Sequence, residues 1–118
     1  MLRLWPYTSV IGAMSLWLWC ANGVADSDLY TQAGVSDPER AAYHWVMHCR
    51  GCHGYDAKGT RGGAPNMVGQ VGQFLHSAEG RAFLGRVPGV AFVELSDHEV
   101  ADLLNWLIVD FDPEGMPG

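Results

Sequence analysis

The alternation of apolar and polar positions divides the chain into distinct stretches, and the clearest element comes last. Val100, Leu103, Leu104, Leu107 and Ile108 recur at i, i+3, i+4, i+7 and i+8, the stripe of a helix with one buried face. Ser96-Asp97-His98-Glu99 opens that helix as a capping box, and Asp97 and Glu99 suit the positive end of its dipole. Asp112-Pro113-Glu114-Gly115 closes it. An earlier helix is predicted from Pro38 to about Cys49, with Ala41, Ala42, Trp45, Val46 and Cys49 along one side. Ser36 is placed to cap it, Pro38 sits where a missing N–H costs little, and Glu39 completes a capping box.

Between the two helices the period is lost. Residues 54–66 are rich in glycine and read as a loop. From Val68 to Leu75 the pattern is ambiguous, because Gly69 and Gly72 oppose a helix. Ser77-Ala78-Glu79 starts a short helix to about Val87, which Pro88-Gly89 stops. Residues 26–35 are polar and aperiodic and read as a flexible lead, and 112–118 as a loose tail. No β pattern emerges, so the expectation is a small all-α domain over residues 36–111.

The first 25 residues have the parts of a secretory signal. Arg3 gives the positive start, Val10–Trp19 an apolar run too short to span a bilayer, and Gly23-Val24-Ala25 small residues at a cleavage position. Cleavage after Ala25 leaves about 93 residues and removes Cys20; retention as an N-terminal anchor is the alternative. The expected compartment is the periplasm, and the mature chain carries no membrane span. Seven Lys and Arg face thirteen Asp and Glu, a formal charge of −6 that falls to about −7 without Arg3. That balance argues against nucleic acid and anionic lipid as partners, and it favours a redox protein with a basic docking patch; solubility alone explains it equally well.

The chemistry is concentrated in Cys49-Arg50-Gly51-Cys52-His53. Cys-x-x-Cys-His is the spacing that attaches haem c. Two thiols three residues apart can each add to one porphyrin vinyl group, and the adjoining imidazole is then aimed at the iron. Two other readings stay open. A thioredoxin-like redox pair or a disulfide uses the same cysteines, but no βαβ pattern precedes them. Structural zinc wants four ligands, and no second pair follows.

Together these residues resemble a class I c-type cytochrome, over about Ser36 to Val109. The resemblance implies a single covalent haem wrapped by an all-α fold whose N- and C-terminal helices cross. Ala41 and Trp45, eight and four residues before Cys49, match the crossing on the first helix, with Ala41 in place of the usual glycine; Leu103 and Trp106 match it on the last. Gly63-Ala64-Pro65-Asn66-Met67 matches the segment whose proline carbonyl accepts the Nδ1–H of the axial histidine. Pro65 would then orient His53, and Met67 would pack against the haem on the histidine side.

The chain departs from the family at the opposite face of the iron. Such a cytochrome takes a methionine sulfur from a loop shortly before the last helix, yet residues 77–95 hold no Met, His or Lys. The candidates for a sixth ligand are His76, Met67 and Met116, or none, with an apolar lid of Val87, Val90, Phe92 and Val93. Arg81 and Arg86 could pair with propionates or simply be solvated. His44, His48 and His98 read as surface residues, Met47 as helix packing, and Trp45 and Trp106 as core. The resemblance implies a non-enzymatic periplasmic carrier of single electrons. The alternatives are a five-coordinate haem protein that binds NO, CO or peroxide, and an accessory haem subunit of a periplasmic dehydrogenase.

Overall fold

In a computed structural model, residues 22–117 are described, and among them the chain is mostly helical with no strand. Most of the expected signal segment, residues 1–21, lies outside the described residues. The helices are α1 (Asn22–Gln32), α2 (Pro38–His44), α3 (Arg50–His53), α4 (Ala78–Leu84), α5 (Pro88–Ala91) and α6 (Asp97–Phe111). A π-helical turn, Trp45–Cys49, joins α2 to α3 without a break, and 3-10 turns occupy Gly72–His76 and Pro113–Gly115.

The strongest sequence signal is realised in α6. Ser96 Oγ accepts the Glu99 N–H at 3.3 Å, and the Glu99 carboxylate accepts the Ser96 N–H at 3.0 Å, which closes the capping box. Leu103, Trp106, Leu107, Ile108 and Val109 are buried along the helix. Helix α2 packs on α6, and Ala41, Trp45, Leu103, Trp106 and Leu107 share one core with Val35 and Ala57. Each such Leu or Val contributes about 1.5–3 kcal/mol when fully buried.

Helix α2 begins otherwise than expected. Asp37, not Ser36, caps it by accepting the Arg40 N–H at 2.9 Å. Ser36 turns instead to Asp102 of α6, donating its hydroxyl to Oδ2 at 2.6 Å. The same carboxylate accepts the backbone N–H groups of Ser36 and Asp37 at 3.2 Å each. Burial would push the Asp102 carboxyl up, but these hydrogen bonds, with the nearby His98, hold it below its ordinary value. A carboxylate on the last helix thus ties down the entry to the first element of the crossing.

The stretch expected to be an unstructured lead is helical from residue 26 to Gln32, as part of α1. Its sequence carries no amphipathic period, and tertiary contact supplies what the pattern lacks: Tyr30 donates its hydroxyl to Asp110 of α6, and Tyr30 and Ala33 pack on the core. Gly34, at φ +76°, ends the helix in a Schellman turn, in which Val35 N–H reaches Tyr30 O at 2.9 Å and Gly34 N–H reaches Thr31 O at 3.1 Å.

Two other boundaries differ from expectation. Helix α4 stops at Leu84, and Pro88 opens α5 at a first-turn position rather than only stopping its predecessor. The tail is a 3-10 turn as far as Gly115, held because the buried Asp112 accepts the Gly72 N–H at 2.7 Å. His44 is buried rather than on the surface, at 6% exposure, while Met47 is 57% exposed rather than packed. His48 and His98 are exposed, and Trp45 and Trp106 are core, as the sequence suggests.

Candidate functional site

The Cys49–His53 segment sits where the first long helix changes its winding. Arg50 N–H bonds to Trp45 O, five residues back, so one extra residue is accommodated in that turn. An extra residue turns everything after it by about 100° relative to a continuous α-helix. Trp45 stays buried in the α6 interface, Cys49 becomes half-buried and Cys52 is exposed. Both thiols are free. Burial, and then the charge of Cys52 beside it, push the Cys49 thiol up from its ordinary value.

His53 ends α3, half-buried, with its ring 6.1 Å from that of Trp45. Its Nδ1 lies 3.4 Å from the carbonyl oxygen of Pro65, a long hydrogen bond. With the proton on Nδ1, the Nε2 lone pair is left free for a ligand bond. The loop that carries Pro65 is folded back on the motif. Gly59 N–H bonds to His53 O at 2.7 Å, and Met67 N–H bonds to Ala57 O at 2.8 Å. Ala57 is wholly buried with φ +55°, an uncommon conformation for a side-chain-bearing residue. Gly59, at φ +73°, lies so close to the returning strand of the loop that a Cβ would stand 2.1 Å from Ala64 O and 2.7 Å from the Pro65 carbonyl. Only glycine permits that approach.

The other sequence candidates are spread out. Met67 is half-buried and packs on the core cluster that includes Trp45, as does Cys49. His76 is exposed at the end of its 3-10 turn. Met116 lines a hollow of about 180 Å³ with Leu75, Asn105 and Ile108, to which no motif residue contributes. Arg81 donates to Leu75 O. Of the apolar lid, Val87, Val90 and Val93 are half-buried and Phe92 is 85% exposed.

Three features escaped the sequence. A hollow of about 340 Å³ lies between His48, next to Cys49, and the segment Pro88, Gly89, Phe92, Val93 and Glu94. The buried His44 has Nε2 3.4 Å from Glu99 Oε1, yet neither ring nitrogen makes a hydrogen bond. The Glu99 carboxyl is held below its ordinary value by Ser96, and to a lesser extent by His44 and Arg40. The Asp102 clamp is the third: Asp102 lies outside the apolar stripe of α6, so the hydrophobic pattern gives no sign of it.

Cys49, Cys52 and His53 could hold a haem c. The thiols are unpaired on one helical turn, a ring nitrogen is available, and Val46 and Met47 just before the motif, with Phe92 of the expected lid, stand exposed. Among the described residues, no three or more His, Cys, Asp or Glu side chains are gathered as a cage for a bare metal ion. No helix among them is long and apolar enough to cross a membrane. Compared with protein-family models, with characterised proteins and with solved structures, the chain matches none.

Proposed function

We propose that the chain is a periplasmic c-type cytochrome of the class I kind, carrying one covalent haem and passing single electrons between redox proteins. One observation supports this above the rest: two free thiols and an imidazole on consecutive turns, with the His53 Nδ1 turned to the Pro65 carbonyl. Bound haem supplies an iron that cycles between Fe(II) and Fe(III). The chain's own residues do the rest. Cys49 and Cys52 tether the ring through thioethers, and His53 presents Nε2 to the metal. Pro65 fixes the plane of the imidazole and raises its basicity. Trp45 and Met67 keep water from the histidine side. The test is a denaturing gel of the mature protein stained for peroxidase activity. A stained band is expected, and a colourless one sinks the reading.

A second reading, a haem protein that binds NO, CO or peroxide, is favoured by the far side. No Met, His or Lys occurs in residues 77–95, where the expected lid of Val90, Phe92 and Val93 offers no side chain to the iron. Absorption and EPR spectra of both oxidation states separate the two. A low-spin spectrum unaltered by CO supports the carrier. A high-spin ferric spectrum that shifts with CO after reduction supports ligand binding, and a low-spin spectrum lost in His76→Ala assigns that residue.

A further inference from the structure

Among the described residues, the two ring nitrogens of His44 are the only buried side-chain polar atoms that make no hydrogen bond. The side chain is 8% exposed, so water does not serve them. A neutral imidazole carries one donor and one acceptor, and a packed core rarely leaves such groups unmet. The ring lies between α2 and the start of α6, with Nε2 3.4 Å from Oε1 of Glu99.

Glu99 divides its two oxygens between different tasks. Oε2 accepts the Ser96 N–H at 3.0 Å and the Ser96 hydroxyl at 2.8 Å, which commits it to the capping box. Oε1 faces α2, where His44 is its nearer partner and Arg40 Nη1 stands 3.9 Å away. The Arg40 side chain is 57% exposed, so solvent screens that contact more than the one with the buried ring. The other titratable groups nearby are otherwise placed. Tyr43 meets the ring edge-on at 5.8 Å and is exposed. The exposed His48, at 5.7 Å, lines a hollow shared with Glu94. On α6, Asp102 and His98 are both bonded to Ser36. Glu99 alone makes an ion-pair contact with the ring.

We propose that His44 is a proton-operated latch between α2 and α6. One proton taken from solvent makes the ring an imidazolium, whose Nε2–H donates to the idle Oε1 of Glu99. Loss of that proton leaves the crossing to apolar packing and the Asp102 clamp. Glu99 is ready for this in mild acid, because Ser96 above all, and then His44 and Arg40, hold its carboxyl below the ordinary value. A buried charge without such a partner would be costly; with one it becomes a charge-assisted hydrogen bond. The latch lies in the protein behind the motif and does not depend on the haem reading.

The test is a double-mutant cycle on the chain as isolated, unfolded by denaturant at about pH 8 and about pH 5.5, between which an imidazole changes charge. The variants are His44→Gln, Glu99→Gln and the pair. Glutamine also serves at the third position of a capping box, so Glu99→Gln removes the charge and keeps the cap. The ion pair exists only with His44 protonated, so the parent's advantage over Glu99→Gln is present in acid and lost as the ring deprotonates. The coupling factor between the two substitutions, in the unfolding equilibrium constant, should be at least severalfold larger in acid. Equal coupling at both pH values, or larger coupling in base, overturns the proposal. His48→Gln should leave the acid coupling intact; its disappearance overturns the assignment to His44.

Proton–nitrogen spectra of the imidazole rings read the same step even where His44→Gln does not fold. A His44 ring protonated at both nitrogens in acid, and less so in Glu99→Gln, supports the latch. A ring that stays neutral in the parent, or is equally protonated in both, overturns it.

Discussion

The α2–α6 pair and the arc from Gly72 to Leu95 draw on similar apolar residue types and use them differently. In the pair, Ala41, Trp45, Leu103, Trp106 and Leu107 are buried against one another, and both helix starts are capped by side chains. In the arc, no residue from Gln73 onward is fully buried before Asp102, although Phe74, Leu75, Phe83, Leu84, Val87, Val90, Phe92 and Val93 are all there. Phe74 and Phe83 stack on each other at 5.2 Å but do not join the main core. One half of the molecule thus completes its core with its own side chains. The other half leaves its apolar side chains half-buried or exposed. A tethered porphyrin between the motif and the lid would give the arc a surface to pack on.

The largest expected effect breaks the second half. Cys49→Ser/Cys52→Ser should abolish covalent haem in the stained gel, and hydrogen exchange across residues 73–95 should then become unprotected while α6 stays protected. Equal loss of protection in both regions would show that they are not separable. Trp45→Ala attacks the first half, at a cost of about 3–5 kcal/mol in denaturant unfolding of the haem-loaded protein, because it removes the aromatic shared by α2 and α6.

Asp102→Ala should cost about 2–3 kcal/mol, since it strands the Ser36 hydroxyl and two N–H groups. Its pH dependence has a definite sign. The folded-state carboxyl is held low, so its stabilisation is complete above the unfolded value of roughly 4 and disappears as pH falls through the lower folded value. The acid-unfolding curve of Asp102→Asn should accordingly lack that component; a curve parallel to the parent's contradicts the clamp.

Gly59→Ala should cost about 1–3 kcal/mol and displace the Pro65 carbonyl from His53, read as a shift in reduction potential or ferric spectrum besides the loss of stability. The smallest effect should come from Phe92→Ala. In haem-free protein it should change stability by less than about 0.5 kcal/mol, because the ring is already in solvent. In haem-loaded protein a larger change would show that the ring covers the porphyrin, which is the sharpest single comparison between the halves.

Much was legible because it is written locally. The Ser96–Glu99 box, the apolar stripe of α6, the helix start at Ser77-Ala78-Glu79 and the glycine-rich loop each depend on residues within a few positions of one another, and each lies where the pattern places it. The Cys49, Cys52 and His53 spacing is equally local, and it carries the proposed haem attachment without a fold. Contacts that join distant positions were not legible. Local spacing allows Ser36 to cap α2, but Asp102, 66 residues away, competes successfully for its hydroxyl. Helix α1 has no period of its own and forms against α6, and the tail is held by Asp112 reaching Gly72 across 40 residues.

Neighbouring residues were enough to specify the capped start of α6, the existence of α2, the all-α class and the Cys-x-x-Cys-His spacing, since short-range hydrogen bonds and helical periodicity are local properties. Tertiary structure alone decided how that segment is turned, through the π turn after Trp45. It also decided which carboxylates are clamps and which face water, and where the basic loop lies against His53. Those outcomes depend on burial and on which of several available hydrogen bonds the packed chain selects, and neither is encoded in the apolar period.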